Sequence, residues 1–310
     1  GASMLPRDRA KRYVQGADAR KRIHRPESDT PPEWTEFVEA LAEKDPLEAR
    51  FAEAWVRQRG VGKRTLREHP PAIGSKYPWS KQYWVKERNE QACLQLASSN
   101  RQQLIWSGED DLLHLAGGNI LVFLFLCQHI WDTWLRDMRS EPDVSDVVLP
   151  CIDDPVQSQG IREASEEWAR KVKEGAKAKQ REQFLHMLGQ LFYRTLTDDV
   201  AMSNPGSNGF SVSIDELENT PDVRSFLQLC AEYGDLYDAP HTSKMKGEMR
   251  RKFYLAPVLS PRFKIPYQKN KEPIYVSVYQ IAAWISGDGG SPESYLPNRQ
   301  QLGIFDEPEA

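Results

Sequence analysis

The stretch "GVGKRT", Gly60 to Thr65, sets a Gly beside a Lys in the manner of a phosphate-binding loop. That chemistry needs a Gly five residues before the Gly-Lys pair and a Ser or Thr directly after the Lys to hold magnesium. Here Arg57 stands in the first place and Arg64 in the second. The approach, Leu47 to Arg59, places Phe51, Ala54 and Trp55 at helical spacing rather than as a buried strand. Gly60 therefore reads as a helix stop followed by a basic turn.

Other constellations are equally incomplete. The six His (24, 69, 114, 129, 186 and 241) form no i, i+4 pair and no zinc spacing. His114 and His129 fall in or beside apolar helical patterns and read as structural. The paired carboxylates Asp110-Asp111, Asp153-Asp154 and Asp198-Asp199 sit near helix ends, where such groups cap. No nucleophile elbow or reactive-Cys context occurs. No catalytic, metal-binding or cofactor-binding residue is expected, and the chain is not expected to be an enzyme.

Positive charge is the sharper signal. Between His241 and Lys271 nine Lys or Arg face a single Glu248, and between Leu5 and Arg25 eight face Asp8 and Asp18. The net charge is nevertheless −4, so the rest of the chain is acidic. Two basic segments on an acidic body point to local contact with a polyanion. Lys244, Lys246, Arg250, Arg251 and Lys252 lie on or beside one loop, with Arg262 and Lys264 following; these seven are the candidate nucleic-acid-binding residues. A cationic hairpin loop binds phosphates in a salt-dependent way; its other reading is a hairpin made basic for solubility. The stretch "YPWSKQYWVKERN", Tyr77 to Asn89, interleaves aromatics with cations as base-stacking surfaces do, but reads better as a helix burying one aromatic face.

The 310 residues, 39% apolar and 28% charged, suit a globular chain of about two domains. The Gly-Ala-Ser ahead of Met4 reads as a residual cleavage sequence. Four scattered Cys without Cys-x-x-Cys fit free thiols in a reducing cytoplasm. The longest apolar run, Ile120 to Cys127, is too short to cross a bilayer. No secretory signal is recognised, so a cytoplasmic location without membrane contact is expected.

Helices are expected at Pro32–Lys44, Pro46–Arg59, Trp79–Ser99, Glu109–Leu115 and Asn119–Arg139. The last is the best defined, with Ile120, Phe123, Leu124, Cys127, Ile130, Trp131, Trp134, Leu135 and Met138 recurring at three- and four-residue steps. Ser140 to Gly160 is rich in Pro and Asp and reads as a connection. A charged helix follows from Ile161 and turns apolar from Phe184 to Leu196; "SNPGSNGFS" reads as a loop. A short helix capped by Ser213, a helix opened by Pro221, an extended piece Leu236–Ala239, the basic loop and a strand "RKFYLA" complete the order of a winged helix. A strand "PIYVSV" and a short helix "YQIAAWI" close it. The helix from Pro221 carries Asp222, Glu232 and Asp235 with only Arg224, and Asp215, Glu216 and Glu218 precede it. Such a pair is poorly suited to entering a major groove, so any DNA contact is assigned to the wing, with weak sequence specificity.

The expected fold is mainly α: a basic N-terminal segment (1–31), a helical bundle (32–139), a linker and charged helix (140–182), a winged helix with a small β-hairpin (183–286) and a tail (287–310). "GEDDLLHLAGGNILVFLFLCQHIWDTW", Gly108 to Trp134, resembles the helical lid of AAA+ ATPases of the origin-recognition type. In that family a short acidic helix, a Gly-Gly-Asn turn and a long helix precede a winged helix. "RRKFYLAPVLSPRFKIPYQKNKEPIYV", Arg250 to Val276, is similar to the end of bacterial proteins of the same group. The resemblance spans Trp79 to Ile285 and implies a defence or mobile-element setting. It also implies an arginine just after the Gly-Gly-Asn turn, where this chain has Ile120 and Leu121. The family's Walker A, Walker B and sensor residues find no counterpart here. The expectation is a non-catalytic DNA-binding and regulatory module, either the C-terminal piece of a larger ATPase or a stand-alone remnant. Its partners would be double-stranded DNA and an AAA+ ATPase core, with ATP held only by such a core. The alternative is a protein-interaction adaptor.

Overall fold

Proline in the first turn opens α1 (Pro6–Tyr13) and α3 (Pro32–Lys44), where its missing N–H costs no helical hydrogen bond. The computed structural model describes residues 3–24, 30–60, 69–138, 151–242, 249–269 and 273–287. The basic N-terminal segment is structured through α1 and α2 (Ala17–Lys21). Tyr13 is fully buried, its hydroxyl accepting from the Ile105 N–H at 2.8 Å. Arg9, also buried, pairs with Glu90. Ser3 belongs to the same surface, its Oγ accepting from the Asp110 N–H at 3.0 Å.

The helices α3, α4 (Pro46–Gly60) and α5 (Gln82–Ser99) pack around aromatic rings. Tyr77 stacks on Trp79 at 4.9 Å, and Trp79 donates its Nε1–H to Glu48 at 2.8 Å. The aromatic stretch is thus largely core, with Tyr83 left outside. Gly60 is the last residue of α4; Lys63 and Arg64 lie outside the described residues.

Next come α6 (Gly108–Ala116) and α7 (Ile120–Met138), separated by Gly117, which adopts the left-handed conformation (φ 58°) that glycine tolerates. α8 (Asp154–Lys171) crosses α7 at Gly160, and α9 (Ala178–Asp198) follows. Two expectations are corrected here. Residues 154–160, read as linker, are the first two turns of α8. The single helix read from Ile161 to Leu196 is broken after Lys171, where Gly175 and Lys177 both take positive φ.

Beyond α9 lies a four-stranded sheet of order β2-β3-β1-β4. It comprises β1 (Gly209–Ser213), β2 (Leu236–Thr242), β3 (Met249–Leu255) and β4 (Ile274–Tyr275). β3 is antiparallel to both β1 and β2, and β4 is parallel to β1. Between β1 and β2 run α10 (Ile214–Glu218) and α11 (Pro221–Glu232). Phe184 of α9 meets Phe210 of β1 and Phe226 of α11 edge-on. β1 corrects the reading of "SNPGSNGFS" as wholly loop. A 3-10 turn at Pro257–Leu259, α12 (Ser260–Phe263) and α13 (Val278–Ser286) are the remaining elements among the described residues. The 3-10 turn and α12 return to α8, and Tyr267 donates its O–H to Asp111 of α6 at 3.0 Å. No helix among the described residues is long and apolar enough to cross a membrane.

Candidate nucleic-acid interface

Of the candidate basic residues, Arg250, Arg251 and Lys252 lie on β3 of the β2–β3 hairpin, which pairs from Leu236↔Leu255 out to Thr242↔Met249. Side chains alternate across a strand, so the run Arg250-Arg251-Lys252 cannot present one cationic face. Arg250 turns inward and is 8% exposed. Its Nε donates to Ser211 Oγ at 3.0 Å, and its Nη2 donates to the carbonyls of Ser211 at 2.8 Å and Val276 at 3.1 Å. The Tyr275 ring lies 5.0 Å away. Arg250 therefore clamps β1, β3 and the end of β4, and contributes no surface charge for a polyanion.

Arg251 points to the opposite face, where it is exposed and pairs with Asp238 across the hairpin. Lys252 lies half-buried, its ammonium 5.9 Å from the Tyr254 ring. Arg262 and Lys264 do not extend the hairpin, because α12 packs on α8 and α9. The Arg262 guanidinium pairs with Glu166, and its backbone N–H donates to Ser165 Oγ at 3.0 Å. Lys264 ends α12 in the left-handed conformation and is exposed. Lys244 and Lys246 lie outside the described residues, in the six-residue connection between Thr242 and Met249. A further cation, Lys269, sits 3.2 Å above the Tyr237 ring, and burial holds its ammonium below the ordinary lysine range.

Between α10, α11 and the hairpin an open groove of about 620 Å³ has an apolar floor that includes Leu217, Leu227 and Phe253. On its walls Glu218, Glu232 and Asp238 stand with Arg224 and Arg251. The guanidinium groups nearest the helices are thus balanced by carboxylates. Among the described residues no cluster of three His, Cys, Asp or Glu could hold a metal ion.

The C-terminal part thus runs α9, β1, α10, α11 and the β2–β3 hairpin, and a mostly helical body with one small sheet agrees with the mainly α fold expected. Residues 6–275 match the family described as ORC-CDC6-like. The chain belongs to that family. No curated protein and no solved structure matches it. For this ORC-CDC6-like chain the match begins at α1, well before Trp79, so the relationship takes in the whole helical body. Membership relates the chain to origin-recognition-like ATPase systems. Sequence reasoning missed two parts of the site: Ser211, hidden in a segment rich in turn residues, and the groove, whose walls come from elements separated in sequence.

Proposed function

We propose that this chain serves an origin-recognition-like ATPase system as a non-catalytic module. In this reading its C-terminal half is a winged helix whose hairpin tip touches duplex phosphates. The helical body docks on an ATPase core, which holds the ATP. The observation that carries the proposal is the hairpin itself: the strands pair out to Thr242 and Met249, and the six residues joining them include Lys244 and Lys246. In this reading the connection that carries both lysines is the part that meets DNA phosphates. Lys252 on the hairpin supplements them in this reading, while the inward clamp of Arg250 removes it from the contacting set. The acidic α10–α11 pair argues for backbone contact without base reading.

The test is fluorescence-anisotropy titration of duplex DNA over a range of salt. Binding should be weak and indifferent to sequence, with log K falling by about 0.9 per contacted phosphate for each decade of salt. Lys244→Glu with Lys246→Glu should reduce that slope by about two contacts. Equal binding by the double variant, or none at low salt, overturns the proposal.

A second reading, in which the winged helix receives a protein, is favoured by one observation. The groove beside α11 combines an apolar floor with carboxylates at its walls. Under that reading Arg224→Glu, at an exposed position on the groove wall, abolishes partner capture, and DNA affinity stays unmeasurable at any salt.

A further inference from the structure

α7 is apolar on two sides. Val122, Leu126, Ile130 and Thr133 are buried. A second line, Ile120, Leu124, Cys127, Trp131, Trp134 and Met138, advances by strict steps of four and three, the spacing of a coiled-coil seam. That line and its flank face outward: Ile120 is 64% exposed, Leu121 69%, Leu124 56%, Trp131 38% and Leu135 39%. With roughly 150–250 Å² for a bare aromatic side chain and no more for an aliphatic one, these five leave at most on the order of 500 Å² of apolar surface in water. That is near the upper end for the largest patch on a monomer.

We infer that this face is a two-fold interface between two copies of the chain, with their α7 helices antiparallel. Two copies together would bury on the order of 1,000 Å², the lower bound of a specific interface. The residue order supplies the self-complementarity that a two-fold contact requires. The first half of the stripe is aliphatic (Ile120, Leu121, Leu124) and the second carries the paired indoles of Trp131 and Trp134, 4.7 Å apart. An antiparallel copy centred between Cys127 and Gln128 sets Leu124 against the partner's Trp131 and Ile120 against the partner's Leu135. Bulky indoles then meet aliphatic side chains, and the opposed helix dipoles attract. A parallel copy would stack indoles on indoles at one end. The inference is independent of the DNA reading, since it uses no residue of the sheet or hairpin.

The experiment is sedimentation velocity on the full 310-residue chain from about 1 to 100 µM. A monomer–dimer equilibrium is expected, weakened tenfold or more by Leu124→Glu, a change at an exposed site that should leave the helical circular dichroism and the melting temperature intact. The register is tested by charge exchange: Leu124→Lys alone dissociates the dimer, and Leu124→Lys with Trp131→Glu restores it. Should Trp131→Glu fail to fold, thiol crosslinking decides. With Cys151→Ser removing the exposed thiol, a short bis-maleimide should join Cys127 to the partner's Cys127. A chain monomeric at 100 µM, or a dimer indifferent to Leu124→Glu and uncrosslinked through Cys127, overturns the inference.

Discussion

Arg181 of α9 is 1% exposed, with its Nε donating to Asp235 Oδ2 at 2.6 Å and its guanidinium 3.8 Å from the Tyr233 ring. Burial lifts the Asp235 carboxyl above its ordinary range, and Arg181 opposes that rise. Removing the cation strands an acid in the interior, so Arg181→Met is expected to cost about 3–5 kcal/mol. Adding Asp235→Asn should recover much of that loss, a coupling read from urea unfolding of the four-protein cycle. Glu53 makes the pH-dependent case. It is 1% exposed and carries His24 on one oxygen and Arg57 Nε at 2.5 Å on the other. Burial pushes its carboxyl upward, but hydrogen bonds and charge from His24 and Arg57 prevail and hold it below the usual carboxylate range. A depressed value means that the ionised group stabilises the fold. The contribution is complete above the unfolded value of about 4.3 and fades as pH falls through the lowered one. Glu53→Gln should therefore destabilise strongly at pH 7, and its deficit relative to wild type should shrink below about pH 4.

Elements are held together by close approach as much as by charge. A Cβ at Gly160 would stand 2.6 Å from Ile130 Cα and 2.8 Å from the His129 carbonyl oxygen, both backbone atoms of α7. Gly160→Ala gains helix propensity, worth about 1 kcal/mol, but must push α8 off α7. Overpacking of that kind costs about 1–3 kcal/mol, and the obstacle here is backbone, so a net fall in melting temperature is expected. The sequence showed α3, α4, α5, α6 and α7 nearly to their ends, because periodicity and caps act locally. It hid β1, whose five residues follow Asn-Pro-Gly-Ser-Asn and are buried on both faces, leaving no polar-apolar alternation to read. The early start of α8 was hidden too, since Pro155 and its neighbouring acids suit a first turn as well as a loop. In α7 the spacing revealed a helix but not which of its two apolar faces is covered, which depends on where α8 returns. Cation clustering pointed to the hairpin, yet burial of Arg250 follows from strand parity and from the carbonyls of distant β1, which no local count contains.

At the scale of the whole molecule the apolar core is one cluster running from Ala10 to Trp284. α9 is its main strut. One end accepts hydrogen bonds at the Leu196 carbonyl from Gln91 and Gln95 of α5, at 3.0 and 2.7 Å. The other end packs Phe184 among the rings of the sheet region. The chain then returns through Pro257–Phe263 to α8, and through Tyr267 to the buried Asp111. Neither half can lose its packing without exposing apolar surface and unpaired polar groups on the other, so a single cooperative transition is expected. Two buried thiols report on it separately: Cys93 in the helical body and Cys230 beneath the sheet, each pushed up to about 12 by burial. Under rising urea, with mass-spectrometric readout of alkylation, both should become reactive at one midpoint, while exposed Cys151 labels at once. Tyr267→Phe should lower the two midpoints together. Earlier labelling of Cys230 would mean that the sheet opens on its own and that the struts through α9 and Tyr267 carry less coupling than their geometry indicates.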